Sequence, residues 1–280
     1  MRWPGLRAKT RGIDAVATAP SSARAVSPLI PPPRRSRRSN DKMPPVKSTV
    51  DEIRARFDAE VERFSVLETG QSATMDAPLV LDLITATAAG VTPGAKRLLD
   101  VGCGAGNYSL KILQRIPDLD VTLIDLSQPM LDRARQRVSV ATRGRINLIQ
   151  GDIRQVELGE ERFDIILAAA VLHHLRTDDE WRSAFSKFHR ALSPRGSIWI
   201  SDLILHTLEP VQAEMWKRYG EYLTQLNGEE YRQHVLAYVE KEDTPRSLMF
   251  QLDLLREVGF AKVEVLHKTS VFAAFGAIKT

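Results

Sequence analysis

Apolar positions recur every three to four residues from Ile53 through Phe57, Val61, Phe64 and Leu67. That spacing predicts an amphipathic helix over about 49–69, capped by Ser48 or Thr49 and stopped at Gly70. A second helix is expected from about Asp76 to Ala89, ending at Gly90 ahead of Pro93-Gly94. Both precede the first strand and are expected to cover one end of a sheet. Short runs rich in Leu, Ile and Val then predict strands at 97–101, 120–125, 145–149, 162–168 and 196–201, alternating with helices at about 107–116, 128–140 and 179–192. Such alternation implies a doubly wound α/β domain with a mostly parallel sheet covered on both faces. Residues 209–245 interrupt it with a helical segment carrying Trp216, Tyr219, Tyr222, Tyr231 and Tyr238. A helix at about 246–258 and strands near 260–267 and 270–278 complete the pattern; the short link between those strands requires an antiparallel pair.

Before Ser48 the pattern is absent. Residues 1–47 contain Pro31-Pro32-Pro33, Pro44-Pro45 and the cluster Arg34-Arg35-Ser36-Arg37-Arg38, so this basic tail is expected to be disordered. It reads as a basic arm for RNA or an acidic surface, as an organelle transit peptide, or as sequence upstream of a start at Met43. The tail changes the meaning of the charge. It holds eleven Lys or Arg against Asp14 and Asp41, so although the whole chain carries +4 at pH 7, everything after residue 47 carries −5. A folded part of that sign gives no support to nonspecific phosphate binding and favours a small-molecule substrate. No apolar run is long enough for a membrane span, and a single cysteine, Cys103, excludes an internal disulfide or a paired-cysteine zinc site. A reducing compartment, the cytoplasm, is the expected location, and no metal site is expected.

The chemistry concentrates where the first strand, Arg97-Leu98-Leu99-Asp100-Val101, runs into Gly102-Cys103-Gly104-Ala105-Gly106-Asn107 and a helix. In a doubly wound sheet, ligands bind beyond the carboxyl ends of the strands, which is where this turn falls. Its glycines permit a sharp turn and close backbone approach. A dinucleotide fingerprint would need glycine at 107, where the chain has Asn107.

The segment instead resembles the first motif of the class I S-adenosylmethionine-dependent methyltransferases, matched by Asp100, Gly102, Gly104 and Gly106. Further landmarks of that family follow in order: Asp125 closing the second strand, Gly151-Asp152-Ile153 after the third, Phe163-Asp164-Ile165-Ile166 through Leu172-His173-His174 at the fourth, and Leu192-Ser193-Pro194-Arg195-Gly196 before the fifth. The resemblance implies a Rossmann-like seven-stranded sheet whose last strand is antiparallel, with S-adenosylmethionine as cofactor. It also implies roles: Asp125 for the ribose hydroxyls, Asp152 for the adenine amino group with Leu126 and Ile153 against the ring, and Asp100 and the backbone of Ala168 for the methionine ammonium. Ser127 is free to cap the following helix, and Cys103 is expected to pack. His173 and His174 follow the fourth strand on the side where an acceptor enters, and either is placed to orient a nucleophile or take its proton.

The acceptor is expected to lie among the helix at 49–69, the loop after His174 and the segment 209–245, with Trp216, Tyr219, Tyr222 and Arg232 as candidate contacts. Those aromatics serve equally well as a cap over a small apolar substrate or as helix core. Asp243-Thr244-Pro245, the helix Leu252 to Gly259 and the closing Phe272-Ala273-Ala274-Phe275-Gly276 are similar to small-molecule methyltransferases and to the enzymes that use carboxy-S-adenosylmethionine to modify tRNA wobble uridine. The latter would require an arginine over the extra carboxylate, for which Arg218, Arg232 and Arg246 are candidates. Methyl transfer to a small molecule is thus the expected activity. The alternatives are carboxylated-cofactor chemistry on tRNA and a non-catalytic, cofactor-binding assembly partner.

Overall fold

The computed structural model describes residues 47–66 and 70–280. Helices α1 (Val50–Ala59) and α2 (Val61–Ser65) open the chain, where one continuous helix was expected; the break falls at Glu60. Thr49 caps α1 in a capping box with Glu52, which satisfies two of the N–H groups orphaned at the helix start. The expectations for Leu67 and for residues 1–46 lie outside the described residues. Lys47, counted with the tail, is bound to the fold: its ammonium donates to the carbonyls of Glu240 and Asp243, each at 2.6 Å.

Helix α3 (Ala77–Val91) leads into β1 (Arg97–Val101), and then α4 (Asn107–Leu113), β2 (Asp120–Asp125), α5 (Gln128–Val138), β3 (Ile146–Gln150) and β4 (Phe163–Ala169) follow. One 3-10 turn, Leu172–His174, precedes α6 (Asp178–Ala191) and the long strand β5 (Leu192–Leu203). Then come α7 (Glu209–Glu242), α8 (Leu248–Glu257), β6 (Lys262–Thr269) and β7 (Phe272–Ile278). The seven strands form one sheet in the order β3-β2-β1-β4-β5-β7-β6, with β1 to β5 parallel and β7 antiparallel to both neighbours. The strand order reverses between β1 and β4, so their carboxyl ends open a crevice at the glycine turn.

Both faces of the sheet are buried, and side chains alternate between them. Leu99, Ile166 and Ile198 face one core with Trp181, Phe185 and Phe188 of α6, while Leu98, Ile165 and Trp199 face the other with Ile84, Ile112 and Leu131. Trp181, Phe185 and Phe188 recur at helical spacing and are fully buried. Each such phenylalanine contributes roughly 1.5–3 kcal/mol of transfer free energy, which anchors α6 on that face. Helix α3 packs on the opposite face through Val80, Leu81, Ile84 and Ala88, rather than over an end of the sheet.

The segment read as a single helical insertion turns back on itself. Asn227 (φ −155°) and Gly228 (φ 86°, ψ 176°) break α7, and its halves pack together through Tyr219, Leu223, Tyr231, Val235 and Val239. The approach is close enough that the Arg232 guanidinium lies over Gly220, where a Cβ would stand 2.6 Å from Arg232 Nε. This pair rests on Leu203 at the end of β5 and on Phe272 at the start of β7, above the crevice.

Candidate active site

The crevice begins with the glycine turn. Gly102 (φ 63°) must be glycine, because a Cβ would stand 2.5 Å from Val171 Cγ2. A Cβ on Gly104 (φ 50°) would meet nothing within 4 Å and would project into the crevice, so this glycine leaves a ligand-sized approach to bare backbone. Gly106 (φ 82°) does not line the crevice; it lets α4 pack closely on Ala134 and Val138 of α5.

Asp125, at the tip of β2, accepts from the N–H of Gly104 at 2.8 Å and of Ser127 at 2.9 Å. Burial raises its pKa, while those backbone N–H groups oppose the shift. Each carboxylate oxygen has two lone pairs, so both retain acceptor capacity toward the crevice. Ser127 also caps α5, its hydroxyl accepting from the N–H of Met130 at 3.2 Å. Asp100 is buried at the end of β1 and accepts from the Ser109 hydroxyl at 2.6 Å; among the described residues it forms no ion pair. Burial pushes its carboxyl up to about 7, against the lowering effect of Ser109. A buried carboxyl lining a crevice without a cationic partner is suited to an incoming ammonium. Cys103 is buried, and its thiol is held well above its ordinary pKa by burial and then by Asp125 and Asp100, which suits packing rather than attack.

A continuation of the crevice, about 530 Å³, is bordered by Asp125, Leu126, Asp152 and Ile153. Asp152 is gripped by Arg154, whose guanidinium donates to both carboxylate oxygens; burial acts to raise its pKa, but Arg154 holds it below the ordinary value. Ala168 does not border the crevice. It is fully buried inside β4, and Ala169 and Ala170 border the crevice in its place. Ala170 adopts φ 52°, strained for a residue with a Cβ, and its N–H donates to the Ser201 carbonyl at 2.8 Å.

A second cavity of about 840 Å³ lies between the sheet ends, α1 and α7. Of the four candidate acceptor contacts only Tyr219 lines it. Trp216 packs edge-on against Tyr219 at 5.8 Å, Tyr222 donates to the Ser72 carbonyl at 2.7 Å, and Arg232 is paired with Glu229 at 2.8 Å. The wall is instead built by Tyr231, His234, Val235, Tyr238 and Val239, whose spacing of three, four, seven and eight residues marks one helical face.

His173 and His174 stand where the two spaces meet: both line the large cavity, and His174 also borders the crevice. His173 Nδ1 is hydrogen-bonded to the buried carboxylate of Asp202, which also accepts from the N–H groups of Leu172 at 2.8 Å and His173 at 3.2 Å. His173 Nε2 faces Asp243 Oδ1 at 3.6 Å, and His174 Nδ1 faces the same oxygen at 3.5 Å. Burial alone would lower the His173 pKa, but Asp202 and Asp243 outweigh it and push it up to about 9. His174 is held well below its ordinary value by burial, then by His173 and Arg176, and is therefore neutral. Asp202 and Asp243 carry no local signature in the sequence, being 29 and 70 positions from His173.

A methyltransferase-domain profile matches residues 98–196, the span from β1 into β5 that contains the glycine turn, Asp125, Asp152 and both histidines. An uncharacterised methyltransferase of Mycobacterium tuberculosis is 32% identical over 115 residues, covering 41% of this chain and 54% of the relative. The span from β1 into β5 is thus similar to a methyltransferase domain, and the fold around it to solved methyltransferases. The chain spans about half the length, 54%, of the mycobacterial relatives it matches. The chain is also similar to the carboxy-S-adenosyl-L-methionine synthase of Pasteurella multocida, 28% identical over 64% of this chain and 75% of that one. Its fold matches human N-acetylserotonin methyltransferase in complex with S-adenosylmethionine (TM-score 0.55, 21% identity, 83% of this chain and 59% of that one). Among the described residues no helix is long and apolar enough to cross a membrane.

Proposed function

We propose that this chain transfers the methyl group of S-adenosylmethionine to a small acceptor held in the cavity under α7. The observation that carries the reading is the junction at His174, which joins a crevice lined by two carboxylates, buried Asp100 and half-buried Asp125, to a cavity walled by tyrosines. The cofactor supplies an electrophilic methyl on a sulfonium that loses its charge as a nucleophile approaches in line. Little covalent chemistry is then asked of the protein, and positioning in a dry site is its main task.

Asp125 accepts from the ribose hydroxyls, Leu126 and Ile153 face the adenine, and Asp152 accepts from its amino group. Asp100 receives the ammonium. Gly104 leaves room for close backbone approach. Tyr219, Tyr231 and Tyr238 exclude water from the acceptor side, and the polar corner of His173, His174 and Asp243 receives the nucleophilic atom. A cavity of this size and the negative charge of the chain beyond residue 47 favour a small molecule over tRNA.

The ordinary cofactor is favoured over the carboxylated one by the fate of the three candidate arginines. Arg218 faces Glu214 at 3.7 Å, Arg232 pairs with Glu229, and Arg246 pairs with Asp178 at 2.6 Å; none borders the crevice. The test supplies methyl-labelled S-adenosylmethionine and a cell extract divided into small-molecule, protein and tRNA fractions. Label in the small-molecule fraction is expected. Label only in tRNA, or no turnover with cofactor bound, overturns the acceptor assignment or the catalytic reading respectively.

A further inference from the structure

The single 3-10 turn after β4 places His173 and His174 side by side, with ring centroids 4.3 Å apart. Asp243, the residue that ends α7, reaches the pair from the other side of the cavity. One donor atom from each of the three lies within 4.8 Å of the others. We propose that His173 Nε2, His174 Nδ1 and Asp243 Oδ1 form a binding site for a divalent first-row transition cation, such as Zn²⁺ or Mn²⁺.

Three observations support the assignment independently. The spacing is right: donors at about 2.0–2.2 Å from a common cation stand roughly 3–4 Å apart, and Asp243 Oδ1 lies 3.6 Å from His173 Nε2 and 3.5 Å from His174 Nδ1. The donors are free: Asp243 is only 7% exposed, yet its Oδ1 and the Nδ1 of His174 are buried atoms without a hydrogen-bond partner. Buried polar atoms are rarely left in that state. Neither Arg176 nor Lys47 satisfies them, since Arg176 donates to the Glu242 carbonyl and to Thr244 Oγ1, and Lys47 donates to the backbone oxygens of Glu240 and Asp243.

The orientation is also supported from behind. With Nδ1–H donated to Asp202, His173 Nε2 is directed away from that carboxylate, the arrangement in which an outer carboxylate orients a metal-binding imidazole, and a cation binding there would displace the Nε2 proton. Two imidazoles and one carboxylate suit zinc, manganese or iron better than calcium or magnesium, and leave coordination positions open toward the cavity. The site's use in catalysis rests on the methyl-transfer reading. A cation there would lower the pKa of an acceptor hydroxyl beside it, so that the oxygen loses its proton to solvent before its lone pair takes the methyl.

The experiment uses the full chain, stripped with a chelator and titrated calorimetrically with Zn²⁺ and with Mn²⁺ alone. One cation per chain is expected. Asp243→Asn, which keeps the side-chain shape, and His174→Gln should each weaken binding at least about tenfold, with melting temperatures confirming that both variants fold. Co²⁺ should give visible ligand-field absorption that Asp243→Asn abolishes. Absence of binding at millimolar cation, or unchanged affinity in both variants, overturns the site. S-Adenosylhomocysteine is titrated separately against the wild type and Asp243→Asn, so that loss of the metal site and loss of the methyl-transfer reading give different results.

Discussion

The backbone N–H of Gly104 donates to Asp125 Oδ2 at 2.8 Å, so the carboxylate at the tip of β2 holds the glycine turn that follows β1. The two landmarks are 21 residues apart and act as one unit: the carboxylate ties the turn and keeps lone pairs for further donors, the ribose hydroxyls in the proposed reading. Replacing Asp125 by Ala should therefore remove both the ligand contact and the tie. Loss of charge-assisted hydrogen bonds corresponds to about 1.5–3 kcal/mol, so S-adenosylhomocysteine should bind roughly 10- to 150-fold more weakly by calorimetry. The same ligand should raise the melting temperature of the wild type, whereas NAD should not. Equal affinity in the variant would remove Asp125 from the site.

On the proposed reading, Asp100 should make cofactor affinity depend on pH. Its folded-state pKa of about 7 lies above the ordinary 3.8, so between those values the folded protein holds a proton that the unfolded chain releases. That proton makes Asp100 cost progressively more stability as pH rises from about 4 to 7, with the full cost present above 7. An ammonium beside the carboxylate favours its ionised form. The affinity for S-adenosylhomocysteine should then rise from pH 5.5 to 7, below the range near 8 where a free α-amino group begins to deprotonate. Asp100→Asn should flatten the profile. Identical slopes in the wild type and the variant would show that the ammonium is held elsewhere.

The order of strands and helices was legible because each element announces itself locally: short runs of Leu, Ile and Val for strands, capped helices, glycine stops. The crevice at the glycine turn was legible for a similar reason, since Asp100, Gly104 and Asp125 sit at or just beyond strand ends whose position in a doubly wound sheet is fixed. Where a single residue's direction mattered, legibility failed. Ala168 was expected to act through its backbone, yet the crevice is bordered one and two residues further along, by Ala169 and Ala170 at the end of β4. Aromatic enrichment in 209–245 marked a real covering element but not its lining face, because the break at Asn227 and Gly228 turns the second half of α7 over the first. The partners of the histidines were invisible for another reason: Asp202 and Asp243 meet them only through the tertiary fold.

The altered lining leads to a separable set of variants. Tyr231→Ala and Tyr238→Ala enlarge the acceptor cavity and should raise the KM for the acceptor severalfold while leaving S-adenosylhomocysteine affinity within about twofold. Trp216→Ala removes a ring packed on Tyr219 outside the cavity, and should lower stability by about 1–2 kcal/mol in denaturant unfolding with the acceptor KM unchanged. A large KM effect from Trp216→Ala, with none from the two tyrosines, would place the acceptor on the other side of α7.

Lys187 offers a test of the adenine placement proposed for Asp152 and Ile153. Its ammonium, on α6, is 6% exposed and donates to the carbonyls of Ile153 at 2.7 Å, Val156 at 2.7 Å and Arg154 at 3.2 Å. It thereby closes the loop that carries Asp152 and Ile153 onto the helix beneath. Burial lowers its pKa, yet three carbonyl partners hold the group where the loop needs it. Lys187→Met fills the same volume and leaves those carbonyls without their donor, at about 1–3 kcal/mol for each that water cannot reach. Denaturant unfolding should register a loss of at least about 2 kcal/mol. Because the loop loses its anchor, adenosine-containing ligands should bind about tenfold more weakly, while the affinity of the His173, His174 and Asp243 corner for Zn²⁺ stays as in the wild type. A variant that unfolds more easily but binds S-adenosylhomocysteine normally would mean that the loop holds its shape without Lys187, and that the adenine contacts lie elsewhere.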